Sequence, residues 1–268
     1  MKVMTWNVNR FDGGTWDWYK ENRDLPMDNR KEYANKIIEK LGELLKTKDD
    51  IAILQEVPYR DFDWKEEWII WKKMFSRFKV MLWFDDEPQR DDFNYKFSKN
   101  VTIAVANKEC DWSIKPFDER KICFKKTKDK KGNEYWDYPN RYIELENGRE
   151  SILGIHASDS ADQWEKIHSA ADSSEFSIIA GDFNINDLLH PENNELKHLE
   201  KNYKRLIDND VITHNRAVSS LDNVFVNTAI SLETKSVFVL DYCFVSELDD
   251  KEPKKRFSDH NICVCELY

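Results

Sequence analysis

The sequence predicts a layered α/β protein, with strands outnumbering helices and no strict βαβ repeat, and three observations carry that expectation. Short runs of alternating or continuous apolar residues recur along the whole chain at strand length. Segments with helical spacing are few and irregularly placed between them. The chain also opens on a strand, a helix and a second strand.

Residues 2–8 alternate and end in Asn7, whereas residues 51–54 form an aliphatic run that leads into Gln55-Glu56. Between them, residues 30–46 place Tyr33, Ile37, Leu41, Leu44 and Leu45 at helical spacing. Residues 11–29, with Gly13-Gly14, Trp16, Trp18, Tyr19 and Pro26, show no period and read as a long loop. In residues 64–78 the aromatics Trp64, Trp68, Trp71 and Phe75 recur every three or four positions, which predicts an amphipathic helix whose aromatics belong to the core.

Further strands are expected at 79–84, 101–106, 112–116, 141–145, 151–155, 177–180, 222–226, 235–240 and 261–267, and helices at 161–171 and 193–204. The polar stretch 125–133 lies between strand-like segments 121–124 and 134–138. It reads as a solvated hairpin, with a phosphate-backbone contact as the alternative. No internal repeat or Pro/Gly/Ser-rich linker divides the chain, so residues 1–268 read as one domain.

Composition narrows the function. Hydrophobic residues make up 40% of the chain, enough for a sizeable core, and no apolar stretch is long enough to span a bilayer. The first residues lack the apolar region of a secretion signal, so the expected location is the cytoplasm, with no stable membrane association. All five cysteines read as reduced, since no metal-binding Cys/His ladder occurs and Cys263 and Cys265 lie on one strand, about 6.6 Å apart. A net charge of −10 argues against a broad basic nucleic-acid surface. It does not exclude a nuclease, because a divalent cation held by carboxylates changes the charge a substrate meets.

The chemistry is concentrated where predicted strands end. Gly181-Asp182-Phe183-Asn184 and Ser258-Asp259-His260 each adjoin an apolar run, and Asn7, Glu56 and His156 end others. Phosphoester hydrolysis needs an activated water, neutralised phosphoryl charge and help for the leaving oxygen. Hard oxygen donors suit Mg²⁺, with Mn²⁺ as a substitute, and Glu56 is the first candidate to hold it. Asn7 is placed to orient the metal's surroundings or a phosphate oxygen. Asp182 and Asn184, two apart, supply a base or metal contact and a neutral donor. His260 and His156 are candidates for proton exchange or for stabilising a phosphoryl oxygen, with Asp222 orienting His260. His168, His190, His198 and His214 read as surface residues.

Taken together and in order, Thr-Trp-Asn7, Gln-Glu56, Gly-Ile-His156, Gly-Asp182-Phe-Asn184, Leu-Asp222-Asn-Val-Phe and Ser-Asp259-His260 resemble the endonuclease/exonuclease/phosphatase superfamily that includes DNase I. The resemblance implies a four-layer α-β-β-α sandwich with the site at one edge. It also implies that Glu56, Asn7 and Asp259 surround the metal, that Asp182 and Asn184 contact water and scissile phosphate, and that His260 pairs with Asp222. Histidine at position 156 is similar to DNase I, sphingomyelinases and inositol-polyphosphate 5-phosphatases, where abasic-site endonucleases carry tyrosine. By the same resemblance Arg141 is a phosphate contact and Glu87 a support for His156. Asn223 departs from the tyrosine or arginine found in many members.

The expected function is a metal-dependent phosphodiesterase acting on nucleic acid, endonuclease-like, by in-line attack of water. Hydrolysis of an inositol-phosphate or phospholipid headgroup is the alternative, and a non-catalytic binding module a more distant one. No protein partner is implied.

Overall fold

A computed structural model describes residues 1–12, 27–59, 61, 64–82, 100–116, 126–128, 134–136, 141–157, 161–185, 193–214, 220–240, 243–244, 255–256, 258 and 260–268. In chain order these form β1 (Lys2–Asn7), a 3₁₀ turn (Asn9–Phe11), α1 (Met27–Leu44), β2 (Ile51–Pro58), α2 (Glu67–Arg77), β3 (Lys79–Met81) and β4 (Asn100–Ala106). There follow β5 (Ser113–Ile114), β6 (Lys126–Lys128), β7 (Glu134–Trp136), β8 (Tyr142–Glu146), β9 (Ser151–His156), α3 (Ala161–Asp172) and β10 (Ile178–Asp182). The remainder is α4 (Glu195–Leu199), β11 (Tyr203–Arg205), β12 (Asp222–Asn227), β13 (Thr234–Leu240), β14 (Cys243–Phe244), β15 (Lys255–Arg256) and β16 (Ile262–Leu267).

Two six-stranded sheets result, one ordered β13-β16-β1-β2-β4-β3 and the other β11-β12-β10-β9-β8-β5. Each is mixed: β1 runs parallel to β2 and antiparallel to β16, and β10 runs parallel to β9 and antiparallel to β12. The sheets face one another, with β1 against β10 and β12, and β2 against β9. Val3, Ile51, Ile53 and Ala104 of the first sheet and Ile143, Ile152, Ile178, Ala180 and Val224 of the second share one buried cluster. Each Val or Ile among them contributes on the order of 1.5–3 kcal/mol by burial.

Because successive strand residues point to opposite faces, Met4, Trp6 and Leu54 turn outward. They join Ile37 and Leu41 of α1 and Trp71 and Met74 of α2 in a second buried cluster. On the far side Trp164 of α3 stacks on Phe183 at 6.3 Å, and Leu196 and Leu199 of α4 are buried nearby. This is the layered α/β arrangement that the strand pattern predicts and the sandwich that the resemblance implies.

Glycine is required at two places, one between the sheets and one within a sheet. A Cβ at Gly154 would run into Ile143 and, across the sandwich, Ile53. One at Gly181 would strike the Ile155 carbonyl, at the parallel β9–β10 pairing that sets His156 beside Asp182.

Several boundaries differ from the sequence reading. Residues 193–204 were expected as one helix, yet α4 stops at Leu199 and Tyr203 begins a strand, buried and donating its hydroxyl to the Phe176 carbonyl. Tertiary pairing with β12 overrides local helix preference there. The hairpin predicted around 125–133 exists as β6 and β7, pairing 126–128 with 134–136; its tip and the expected strand at 121–124 lie outside the described residues. Of the aromatics in residues 64–78 expected in the core, Trp64, which precedes α2, and Trp71 are buried, whereas Trp68 and Phe75 are exposed. The cluster Trp16, Trp18 and Tyr19 lies outside the described residues.

Candidate active site

The inner faces of both sheets change from apolar to polar toward the same end. On β1 the sequence of inward residues is Val3, Thr5, Asn7; on β2 it is Ile51, Ile53, Gln55; on β9, Ile152, Gly154, His156; on β10, Ile178, Ala180, Asp182; and on β12, Val226, Val224, Asp222. Register aligns them: Asp182 is paired with His156 on one side and Asp222 on the other, and Asn7 with Gln55. Buried Thr5 and Gln55 bond each other at 3.0 Å and form the transition from core to site. Period-two alternation alone thus delivers the polar strand ends to one cleft.

Glu56 needs a further device, since strict alternation after Gln55 would turn it outward. A register shift between Leu54 and Val57 and a left-handed backbone (φ 54°) at Glu56 re-aim its carboxylate into the site. Asn7 Nδ2 donates to Glu56 Oε1 at 3.1 Å and to Asp182 Oδ2 at 2.9 Å. Its Oδ1 accepts the Asn9 backbone N–H, which fixes the amide so that its nitrogen bridges the two carboxylates. The three residues Asn9, Arg10 and Phe11 all have positive φ. That turn is held by Arg30, which donates to the Arg10 carbonyl and pairs with buried Asp61 at 3.2 Å.

Asp182 is buried, and its Oδ1 accepts the Asn184 N–H at 2.9 Å. Burial pushes its carboxyl up to about 7, with His260 drawing it down and Asp222 adding to the rise. Asn184 is exposed, in left-handed conformation (φ 52°), and its Nδ2 donates to the Ala157 carbonyl. His260 Nδ1 lies 2.8 Å from Asp222 Oδ2, and its Nε2 faces Asp182 Oδ2 at 3.9 Å. The other Asp222 oxygen is buried with no hydrogen-bond partner among the described residues. His156 Nε2 stands 3.5 Å from Glu56 and 3.9 Å from Asp182. Burial, followed by Arg141 and His260, lowers its pKa to about 3, so the ring is neutral near pH 7.

That depression has a consequence for stability. Unfolded, His156 takes up a proton near pH 6.5; folded, only near pH 3. Between these values the unfolded state binds more protons, so stability present above pH 6.5 is lost as pH falls. Urea titrations at pH 7 and pH 4.5 are expected to show a smaller acid-induced loss for His156→Gln than for the unmodified chain. An equal loss would contradict the neutral buried ring.

The structure therefore brings together Asn7, Glu56, His156, Asp182, Asn184, Asp222 and His260. Arg141 lies at the margin, its Nη1 donating to the carbonyls of His156 and Ala157, which braces the end of β9. Asp259 and Glu87 lie outside the described residues. Asn223, where many members differ, has a structural use: its amide closes a two-bond bracket with the backbone of Ile207.

Other site residues escaped the sequence reading. Ser258 Oγ donates to the Asn7 carbonyl at 2.6 Å and accepts the His260 N–H at 3.1 Å, tying the first strand to the last. Thr213 Oγ1 accepts the N–H groups of Leu221 and Asp222. His214, expected at the surface, instead packs its ring 4.5 Å from that of His260 and forms a backbone bridge with it. Ser258 stood inside a recognised motif; Thr213 and His214 carried no local signal. His168 and His198 stack on each other at 4.0 Å, paired with Glu195 and Asp172, and join α3 to α4.

Asp182, Asp222 and His260 are the one described group of metal-ligating side chains whose ligand atoms lie within 4.8 Å of one another. His260 and Asp222 are already committed to each other, so the set reads as a histidine–carboxylate dyad facing a second carboxylate, Asp182. Glu56, a quarter exposed, is the carboxylate open to a cation. Oxygen donors from Glu56 and Asp182 around the cleft fit a hard divalent ion.

Several solved structures share the fold. D. rerio TDP2 complexed with a single-strand DNA product aligns with a TM-score of 0.55 at 12% identity, covering 100% of this chain and 98% of that one. An endonuclease/exonuclease/phosphatase family protein from Bacteroides thetaiotaomicron gives 0.57 at 13% identity, covering 100% and 97%. Beta toxin from Staphylococcus aureus gives 0.53 at 15%, covering 99% of each chain. No curated protein matches by sequence. The sequence profile of the Endonuclease/Exonuclease/phosphatase family matches residues 4–260, from the first strand to His260. The chain belongs to that family of phosphoester hydrolases.

Proposed function

We propose that the protein is a Mg²⁺-dependent phosphodiesterase that hydrolyses nucleic-acid phosphodiester bonds, endonuclease-like, by in-line attack of water. The observation that carries this reading is the convergence of Asn7, Glu56, His156, Asp182, Asp222 and His260 from two sheets onto one cleft. A binding module that had lost its chemistry would not retain the whole set. A relative of the same fold holds a single-strand DNA product, which supports the choice of nucleic acid. Buried, unpaired Cys110, Cys263 and Cys265 support a reducing, cytoplasmic location. Among the described residues no helix is long and apolar enough to cross a membrane.

Each residue has a role that follows from its surroundings. Glu56, with Asp182 beside it and Asp259 by family resemblance, would hold the ion, which supplies neutralisation of phosphoryl charge and an activated oxygen. Asn7 keeps the two carboxylates at fixed separation. Asp182 accepts a proton from the attacking water. Asn184, its amide anchored on Ala157, orients that water or a phosphate oxygen. Neutral His156 donates a hydrogen bond to a phosphoryl oxygen without adding charge. Asp222 holds the His260 ring and stabilises its charged form, so that Nε2–H faces the developing negative charge.

Supercoiled plasmid incubated with the protein and Mg²⁺ is expected to be nicked, and EDTA to abolish nicking. Release of phosphate or headgroup from an inositol phosphate or phospholipid, with plasmid untouched, would replace the nucleic-acid reading by the headgroup one. A separate readout concerns the ion itself: Mg²⁺ is expected to raise the melting temperature, and Glu56→Gln to shrink that shift. An undiminished shift in the variant would place the ion elsewhere.

A further inference from the structure

The outer face of α2 carries no exposed carboxylate. Its exposed positions are Trp68, Ile69, Lys72, Phe75, Ser76 and Arg77, preceded by exposed Lys65. The two acids at its start are occupied: Glu66 pairs with Lys31 at 3.3 Å, and Glu67 accepts the Asp61 N–H and the Trp71 indole. In a chain of net charge −10 this is a locally cationic surface. Trp68 is 63% exposed and Phe75 44%, although burying either would be favourable. At 100° per residue, Trp68, Lys72 and Phe75 lie on one line along the helix, with Trp68 and Phe75 about 10.5 Å apart. The Lys72 ammonium sits over the Trp68 ring, 5.1 Å from its centre.

The helix also points at the candidate site. Trp71 Nε1 donates to the Pro58 carbonyl at the end of β2, and β3, which follows α2, runs parallel to β2 because both are antiparallel to β4. The first turn of α2 therefore lies at the Asn7–Glu56 end of the sheet. Asp61, bonded to Glu67, also pairs with Arg10, three residues beyond Asn7.

We infer that this face of α2 binds a single-stranded nucleic acid, its bases stacking on Trp68 and Phe75 and its phosphates meeting Lys65 and Lys72; Arg77, half a turn round the helix against Gly42, takes no part. The inference deepens the nucleic-acid reading above and rests on it for its link to catalysis. Flat aromatics interleaved with cations match the alternation of base and phosphate in a strand. An anionic bilayer fits less well, because inserting Trp68 would carry the Lys72 ammonium that lies over its ring toward the acyl boundary.

The test is fluorescence anisotropy of a labelled oligothymidylate in EDTA, where cleavage is stopped and metal-assisted phosphate contacts are absent. Trp68→Ala is expected to weaken binding at least about 5-fold and Trp68→Phe to restore most of it. Lys72→Glu is expected to weaken binding and flatten its salt dependence. All three variants should hydrolyse bis(p-nitrophenyl) phosphate in Mg²⁺ at the unmodified rate. No oligonucleotide binding by the unmodified protein, or equal binding by Trp68→Ala and Lys72→Glu, would overturn the inference. So would binding of phosphatidylserine vesicles, lost in those variants, without binding of the oligonucleotide. Variant-sensitive oligonucleotide binding without ester turnover would remove the hydrolytic reading and keep this surface.

Discussion

Replacing His260 with alanine is expected to slow phosphodiester turnover by about 10²–10³-fold, the range for loss of one donor aimed at developing negative charge. The ring is held by Asp222 at 2.8 Å, by Ser258 through its backbone N–H and by His214 against its face, so the chain invests several buried contacts in its orientation. Asp222→Asn is expected to lose a large part of the same factor, because an amide still bonds Nδ1 but no longer stabilises the charged ring. The double variant should be little worse than His260→Ala alone, since the two act as one unit. Steady-state turnover of the four proteins measures this. Independent, multiplying losses would separate Asp222 from His260 in the mechanism.

Asp182→Asn is expected to cost a similar factor by a different route, removal of the group that accepts the water's proton. Its carboxyl, raised by burial to about 7, adds a signature unrelated to turnover. In EDTA the folded state holds its proton up to higher pH than the unfolded state does. The stability this confers is present at low pH and declines as pH rises from about 4 through neutrality. The asparagine variant lacks that decline. Parallel stability–pH profiles for the two proteins would show that Asp182 is ionised in the folded, metal-free state.

Much of this site was legible in the sequence because strand alternation converts position into direction. Asn7, His156, Asp182 and Asp222 end strands whose inward residues are otherwise apolar, and they were identified for that reason. Glu56 was identified by the same rule, although its orientation depends on a bulge that no spacing announces. Arg141 was read as a phosphate contact, and the structure places its guanidinium on the carbonyls that end β9. His214 was missed because its function comes from a long-range bridge to His260. Trp68 and Phe75 were misplaced because helical periodicity identifies a shared face without saying which face is buried. Tyr203 shows the same limit, since its strand exists only through pairing with β12.

The central claim is that these strand ends form one metal-dependent hydrolytic centre, whatever the substrate. Turnover of bis(p-nitrophenyl) phosphate measured against Mg²⁺ concentration, for the unmodified protein and Asp182→Asn, tests it most directly. The account predicts saturable dependence on Mg²⁺, abolished by EDTA and nearly absent in the variant. Turnover that persists in EDTA, or is equal in the two proteins, would contradict it.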